Sequence, residues 1–181
     1  PAFRQYTPLE AIRTGMLPLL WLSLGITAGV SLFGISYMVP FAKDLGFAPM
    51  IVAMAAGVLS VINGAGRAIT GWVSDRIGRK PTLLMVLLIS AVALVGLLYA
   101  GKLGNEIAFL PFALLVGFGG GAFYPLFAAI TTDYFGENNN ASNYGLVYSS
   151  KLVGSVIGIG VGSSIIDAWD YTGAYWIAGA S

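Results

Sequence analysis

Gly71-Trp72-Val73-Ser74-Asp75-Arg76-Ile77-Gly78-Arg79-Lys80 packs four charges into ten residues of a chain in which only 9% of residues are charged. Apolar runs flank it, from about Met50 to Val73 and from about Thr82 to Ala100. Each is close to the ~20 residues that cross ~30 Å of hydrocarbon as a helix. The stretch therefore reads as a tight polar connection between two membrane spans. Asp75 is expected near the positive end of the following helix. Arg76, Arg79 and Lys80 are expected to hold the connection on the cytoplasmic side. Gly71 and Gly78 allow close packing and a sharp turn.

Outward from this loop the same pattern repeats. Further apolar runs cover about Met16 to Phe41, Ile107 to Thr131 and Ala141 to Ile166, and a last one begins at Tyr171. Ala42–Pro49, Gly101–Glu106, Thr132–Asn140 and Asp167–Asp170 are expected as short polar connections. The chain of 181 residues is 57% hydrophobic, with a mean hydropathy of +0.82. Soluble domains carry about 25% charged residues. The fold expected is thus an all-α membrane protein of about six transmembrane helices, the last of them cut short. Ahead of the first span, Thr7, Pro8 and Glu10 form a capping-box pattern. Arg4, Arg13, Arg76, Arg79 and Lys80 lie on one side against Lys43 and Lys102 on the other, which puts the first side in the cytoplasm.

Composition excludes much chemistry. The chain has no Cys and no His. Thiol catalysis, zinc sites of the usual kind and His-based triads are absent from it, and no metal or cofactor is expected. A net charge of +1 offers no field for nucleic acid. No nucleophile–base pair marks an enzyme. Glycines at 57, 64 and 71, and at 154, 158 and 162, fall at helical spacing and predict close backbone packing. The run Gly119-Gly120-Gly121 before Pro125 predicts a bend or break, of the kind that lines transporter sites.

Two cations interrupt the apolar runs, Arg67 and Lys151. Each costs about 2.5–3.5 kcal/mol to insert on the lowest scale, and such residues are functional by default. At 1.5 Å per residue, Arg67 lies about 10 Å and Lys151 about 15 Å from the inner side, on different helices. Separated by about 8 Å at an effective dielectric near 20, they would repel by roughly 2 kcal/mol. An anion between them would remove that penalty. Arg offers a planar fork to a carboxylate and Lys a point charge. Ser60, Asn63, Arg67 and Thr70 share one stripe, and Tyr144, Tyr148, Lys151 and Ser155 share another. Asn63 and Tyr148 stand one turn from their cations and could join a carboxylate site. The bland alternative is that each cation snorkels or bonds loose backbone carbonyls. No acid lies within an expected span to pair with either one.

The loop also resembles the G-x-x-x-D-R-x-G-R-[RK] signature of the major facilitator superfamily. That resemblance implies a six-helix half of a major facilitator fold, a 3+3 inverted repeat, with residues 1–181 as helices seven to twelve of a longer carrier. Its partner would be a missing N-terminal six-helix half. It also implies that Gly71, Asp75, Arg76, Gly78, Arg79 and Lys80 govern conformational switching without touching substrate. Asn63-Gly64-Ala65-Gly66-Arg67, together with Asn143-Tyr144-Gly145-Leu146-Val147-Tyr148-Ser149-Ser150-Lys151, looks like the oxalate/formate antiporter family, a relative of the monocarboxylate transporters. That likeness implies carboxylate binding by Arg67 and Lys151, with aromatic residues from helix ten. Phe118, Phe123 and Tyr124 are the aromatics available there, and Tyr124 joins the candidate site. The activity implied is antiport of a small organic anion across a bacterial or archaeal cytoplasmic membrane. In such antiport two uncompensated cations would hold back the unloaded carrier. A drug or sugar carrier and a non-transporting carboxylate sensor are the alternatives.

Overall fold

The computed structural model describes residues 4–180. Its helices are α1 (Pro8–Arg13), α2 (Met16–Asp44), α3 (Pro49–Ile77), α4 (Arg79–Lys102), α5 (Glu106–Ala122), α6 (Tyr124–Phe135), α7 (Asn140–Ser155) and α8 (Gly162–Ala180), with a π-helical stretch Val156–Val161 joining α7 to α8. Among the described residues, Met16–Asp44, Pro49–Ile77, Arg79–Lys102, Glu106–Phe135 and Asn140–Ala180 are long and apolar enough to cross a membrane. The last is two spans run together. It breaks at Asp170, whose φ of 63° and ψ of 171° lie outside helical geometry. Asp167–Asp170 is therefore not a polar loop: the helix continues through Trp169 and turns at a single residue.

Connections are shorter than the sequence suggests at the charged stretch too. Helix α3 runs on to Ile77 and α4 starts at Arg79, so Gly78 alone joins them. Its φ of 96° favours glycine. The capping box before α1 forms as expected. Glu10 Oε2 accepts from the Thr7 backbone N–H at 2.9 Å, and Thr7 Oγ1 accepts from the Glu10 N–H at 3.5 Å.

Burial divides the bundle into two apolar cores. One gathers Phe33, Phe41, Phe47, Leu97, Phe109 and Tyr175. The other gathers Leu24, Val86, Phe123, Tyr124, Phe127, Phe135 and Val147. Glycines set how close the helices come. A Cβ on Gly158 would stand 2.1 Å from the Gly29 carbonyl oxygen, and one on Gly154 would stand 2.4 Å from that of Gly25. One on Gly162 would meet the Phe33 ring at 2.8 Å. These three glycines seat the fifth span on α2, as their spacing predicts.

The second glycine row behaves differently. Gly57, Gly64 and Gly71 have nothing within 4 Å of a built Cβ. Close packing of α3 comes instead through Gly66 against the Phe118 carbonyl and through Gly117 and Gly121 of α5 against Leu59 and Asn63. The glycine run is a packing device as well as a break. Gly119 lies against Ser90 of α4, Gly120 against Ile35 of α2 and Gly121 against Asn63 of α3. The discontinuity itself falls two residues later, at Phe123, between α5 and α6.

Candidate functional site

Helix α3 presents Asn63 and Arg67, α6 opens on Tyr124, and α7 presents Tyr144, Tyr148 and Lys151. Tyr124 occupies the first helical position after the Phe123 break, with Pro125 next to fix the restart. That placement turns its ring toward both cations. The Arg67 Cζ lies 5.3 Å from the Tyr124 ring centroid, and the Lys151 Nζ lies 5.2 Å from the same centroid. The separation of the two cations thus cannot exceed the sum of these distances, consistent with a shared site. Lys151 is also 5.4 Å from the Tyr148 ring and donates to its hydroxyl at 3.3 Å. Arg67 donates to Asn63 Oδ1 at 3.4 Å.

Aromatic contacts tie the rings together. Tyr124 and Tyr148 have centroids 5.6 Å apart, as do Tyr144 and Tyr148. The Tyr144 hydroxyl donates to the Tyr124 carbonyl at 3.2 Å, so α7 is pinned to the start of α6. Each cation–ring contact is worth about 0.5–1 kcal/mol when exposed and about 2 when desolvated. The ion pairs among the described residues are Arg4–Glu10, Arg79–Asp75 and Arg79–Asp133; none involves Arg67 or Lys151.

Some expected members fall away. Thr70 is buried and bonds back to the Gly66 carbonyl at 2.6 Å, and Ser155 bonds back to the Lys151 carbonyl at 2.6 Å. Each satisfies its own helix and leaves the site. Phe118 packs on Gly66, while Phe123 is buried against Tyr124 and faces a cavity of about 120 Å³ among α2, α4, α5 and α8. Only Tyr124 of the three aromatics reaches the cations. Nor are the cations buried. Among the described residues, Arg67 is exposed and Lys151 half-buried.

The charged loop forms a cross-brace. Arg79 bonds Asp75 and Ser74 of α3, the latter at 2.7 Å, and its Nε lies 3.4 Å from Asp133 near the end of α6. Asp75 faces the start of α4 but makes no bond to a helix-end N–H: the guanidinium of Arg79 is the stronger, charge-assisted donor. The Arg76 guanidinium stacks 3.4 Å over the Trp72 ring. Lys80 is exposed.

The Major Facilitator Superfamily profile matches residues 13–181. This chain belongs to the major facilitator superfamily. It is 30% identical over 168 residues to the oxalate:formate antiporter of Oxalobacter formigenes, covering 93% of this chain and 40% of that protein. It is 30% identical over 158 residues to the uncharacterized MFS-type transporter YhjX of Escherichia coli (strain K12), covering 84% and 38%. Over 148 residues it is 28% identical to monocarboxylate transporter 12 of Homo sapiens, covering 80% and 28%. The chain thus spans two fifths or less of these relatives.

Within this major facilitator chain, two features escaped sequence reasoning. Asp133 signals only by being an acid at a span end, with nothing to name Arg79 as its partner. The other is a clamp on the α6–α7 connection. Tyr6 donates its N–H to the Phe135 carbonyl at 2.9 Å, and its own carbonyl accepts from Asn139 at 3.1 Å and Asn143 at 3.2 Å. Gln5 Oε1 accepts from the Asn138 N–H at 3.0 Å. These contacts span over a hundred residues of sequence, and no local pattern announces them.

Proposed function

We propose that the chain is the C-terminal six-helix half, helices seven to twelve, of a carrier that exchanges a small organic anion by alternating access. Arg67 and Lys151 act as a two-point clamp on a mono- or dicarboxylate. Asn63 and Tyr148 complete its polar rim, and Tyr124 forms the floor between the cations. The observation that carries this reading is the convergence of Arg67 and Lys151, from different helices, on the Tyr124 ring with no acidic partner among the described residues. A lone cation could snorkel; two that meet on one ring describe a site for negative charge. The chain's similarity to an oxalate:formate antiporter and a monocarboxylate transporter supports the same class of solute. The Gly71–Lys80 loop, with Arg79 bracing α3 to α6, steadies one conformation on the cytoplasmic side of a bacterial or archaeal membrane.

Counterflow in proteoliposomes tests it, with the full-length protein and labelled oxalate, formate, lactate and a neutral sugar. Anion exchange should fall at least about a hundredfold in Arg67→Gln and in Lys151→Gln, as expected when a charged partner of a carboxylate is lost. Exchange that survives both substitutions, or transport of the sugar alone, overturns the reading.

A further inference from the structure

Just beyond Lys151 the fifth span leaves α-helical geometry, and Val156–Val161 is a π-helix. A π turn holds one residue more than an α turn, and such turns gather at functional sites. Nothing in the site described above uses this one. Its effect is on how the span sits on α2. Gly154, Gly158 and Gly162 repeat every four residues. In an α-helix each step of four carries a residue about 40° further round, so the row would drift about 80° over its length. The wider turns of the π stretch take out that drift, and all three glycines meet α2: Gly154 at Gly25, Gly158 at Gly29, Gly162 at Phe33 and Tyr37. One bond from α2 holds the exit of the stretch. The Tyr37 hydroxyl donates to the Ile159 carbonyl at 2.6 Å, and the same carbonyl takes the Gly162 N–H, three residues on where an α-helix reaches four. Ser163 and Ser164 bond the Gly160 carbonyl from the same helix, whereas the Tyr37 bond comes from another. The Tyr37 ring is fixed as well. Phe33 lies 5.1 Å away, and a Cβ on Gly162 would stand 3.1 Å from Tyr37 Cε2.

Resting on the carboxylate reading above, we infer that Tyr37 is a positioning residue for Lys151: its hydroxyl holds the extra residue within Val156–Val161 and so fixes the angle at which α7 presents that cation. Tyr37 does not touch the anion. It lies about 32 Å along α2 from Met16, toward the outer end of the bundle. Without its hydroxyl the stretch relaxes toward α-helix, and the extra residue must be absorbed elsewhere in the span. With Gly162 still seated on Phe33, the part of the span before it turns by up to about 100°, the rotation of one residue. Lys151 turns with it, and Tyr124, which belongs to α6, does not.

The test uses the full-length protein without other cysteines, spin-labelled at Leu84→Cys on α4 and Leu152→Cys beside Lys151, both exposed positions. In Tyr37→Phe, which keeps the ring against Phe33 and Gly162, the distance between the labels should gain a second population shifted by about 5 Å or more, as a turn of the helix by one residue requires. The half-saturating concentration for exchange of labelled oxalate or formate should rise about fivefold, the order expected for one lost hydrogen bond. Deleting Gly160, which has nothing within 4 Å of a built Cβ, removes the extra residue and lets the span run as α-helix with both ends in register. In that background Tyr37→Phe should change neither the label distance nor the half-saturation. A hydroxyl that only stabilises the bundle would leave the distance alone and cost the same in both backgrounds. Either result overturns the assignment. Should the Gly160 deletion fail to accumulate, the label distance in Tyr37→Phe decides by itself. The distances need no transport, so the two readings fail separately. A wild-type distance in Tyr37→Phe, with exchange lost in Arg67→Gln and Lys151→Gln, defeats this inference alone. Exchange that survives those two substitutions defeats the carboxylate reading, whatever the labels report.

Discussion

Two glycine rows at helical spacing meet opposite fates. Gly154, Gly158 and Gly162 press the fifth span onto α2, with Gly158 in backbone contact with Gly29. Gly57, Gly64 and Gly71 present an open strip along α3, with nothing from another helix within 4 Å of a built Cβ among the described residues. The difference is in the partner. Helix α2 answers the first row with small residues of its own, Gly25 and Gly29, so two backbones can close. Among the described residues, nothing answers the second. A periodic row of small residues thus announces a surface that permits close approach, and whether the approach happens is decided by the facing helix.

Substitutions can break that contrast at graded cost. The largest effect should come from Gly158→Ala, whose Cβ would lie 2.1 Å from the Gly29 carbonyl oxygen with backbone on both sides. Overpacking of this kind costs about 1–3 kcal/mol or more. The variant should unfold earlier in detergent by thermal melting, and a wild-type melting curve would contradict the backbone contact. Gly121→Ala comes next, since a Cβ there would meet Asn63 Oδ1 at 2.5 Å and the Asn63 carbonyl at 2.7 Å. It should cost about 1–3 kcal/mol and, by displacing Asn63, also weaken anion affinity in a binding assay. Stability lost with affinity retained would separate the helix contact from the site.

A smaller loss is expected for Gly136→Ala at the α6–α7 connection. Its φ is 84°, and Gln5 fills the space a Cβ would need. About 1–2 kcal/mol is expected, seen as faster hydrogen exchange of the Asn138 and Tyr6 amides. Gly64→Ala should be neutral or stabilise the isolated chain by up to about 1 kcal/mol through helix propensity. If the same change harms the full-length carrier, some other part of that carrier covers the α3 groove. The smallest effect concerns acid. The Thr7 backbone N–H, the Thr7 hydroxyl and Arg4 hold the Glu10 carboxyl below its ordinary range. A depressed folded value means that this contribution is present above the ordinary carboxylate range. It is lost as pH falls through the folded value. Fraying of α1 on acidification should therefore be blunted in Glu10→Gln, which is already uncharged.

Span number, the charged loop and the two cations were legible because each rests on local pattern: apolar length, charge density, charge in an apolar run. Arg67 and Lys151 could be set at similar depth from helix rise alone. Their convergence on Tyr124 could not, because it depends on the one residue at which α5 gives way to α6: the break at Phe123 falls within the stretch from the glycines to Pro125, but that pattern does not say which ring the restart presents. Thr70 and Ser155 share the right stripe and yet turn back on their own helices, since a hydroxyl in a span satisfies itself on a carbonyl one turn away. Arg67 stands in an apolar run and is nonetheless exposed on this half of the carrier, because an apolar neighbourhood in sequence is not an enclosing one in space. Asp133 and the Gln5–Tyr6 clamp are tertiary meetings of distant residues, invisible to any window.

Gly78, the single residue between α3 and α4, has a practical consequence for anyone labelling this protein. Surface loops usually accept an inserted tag or reporter. Here the best-marked loop is the worst place for one. It has no spare length, its one residue needs a left-handed backbone, and Arg79 beside it is already engaged by Ser74, Asp75 and Asp133. An epitope or fluorophore belongs at Gly104, where the backbone also turns at positive φ but nothing lies within 4 Å of a built Cβ.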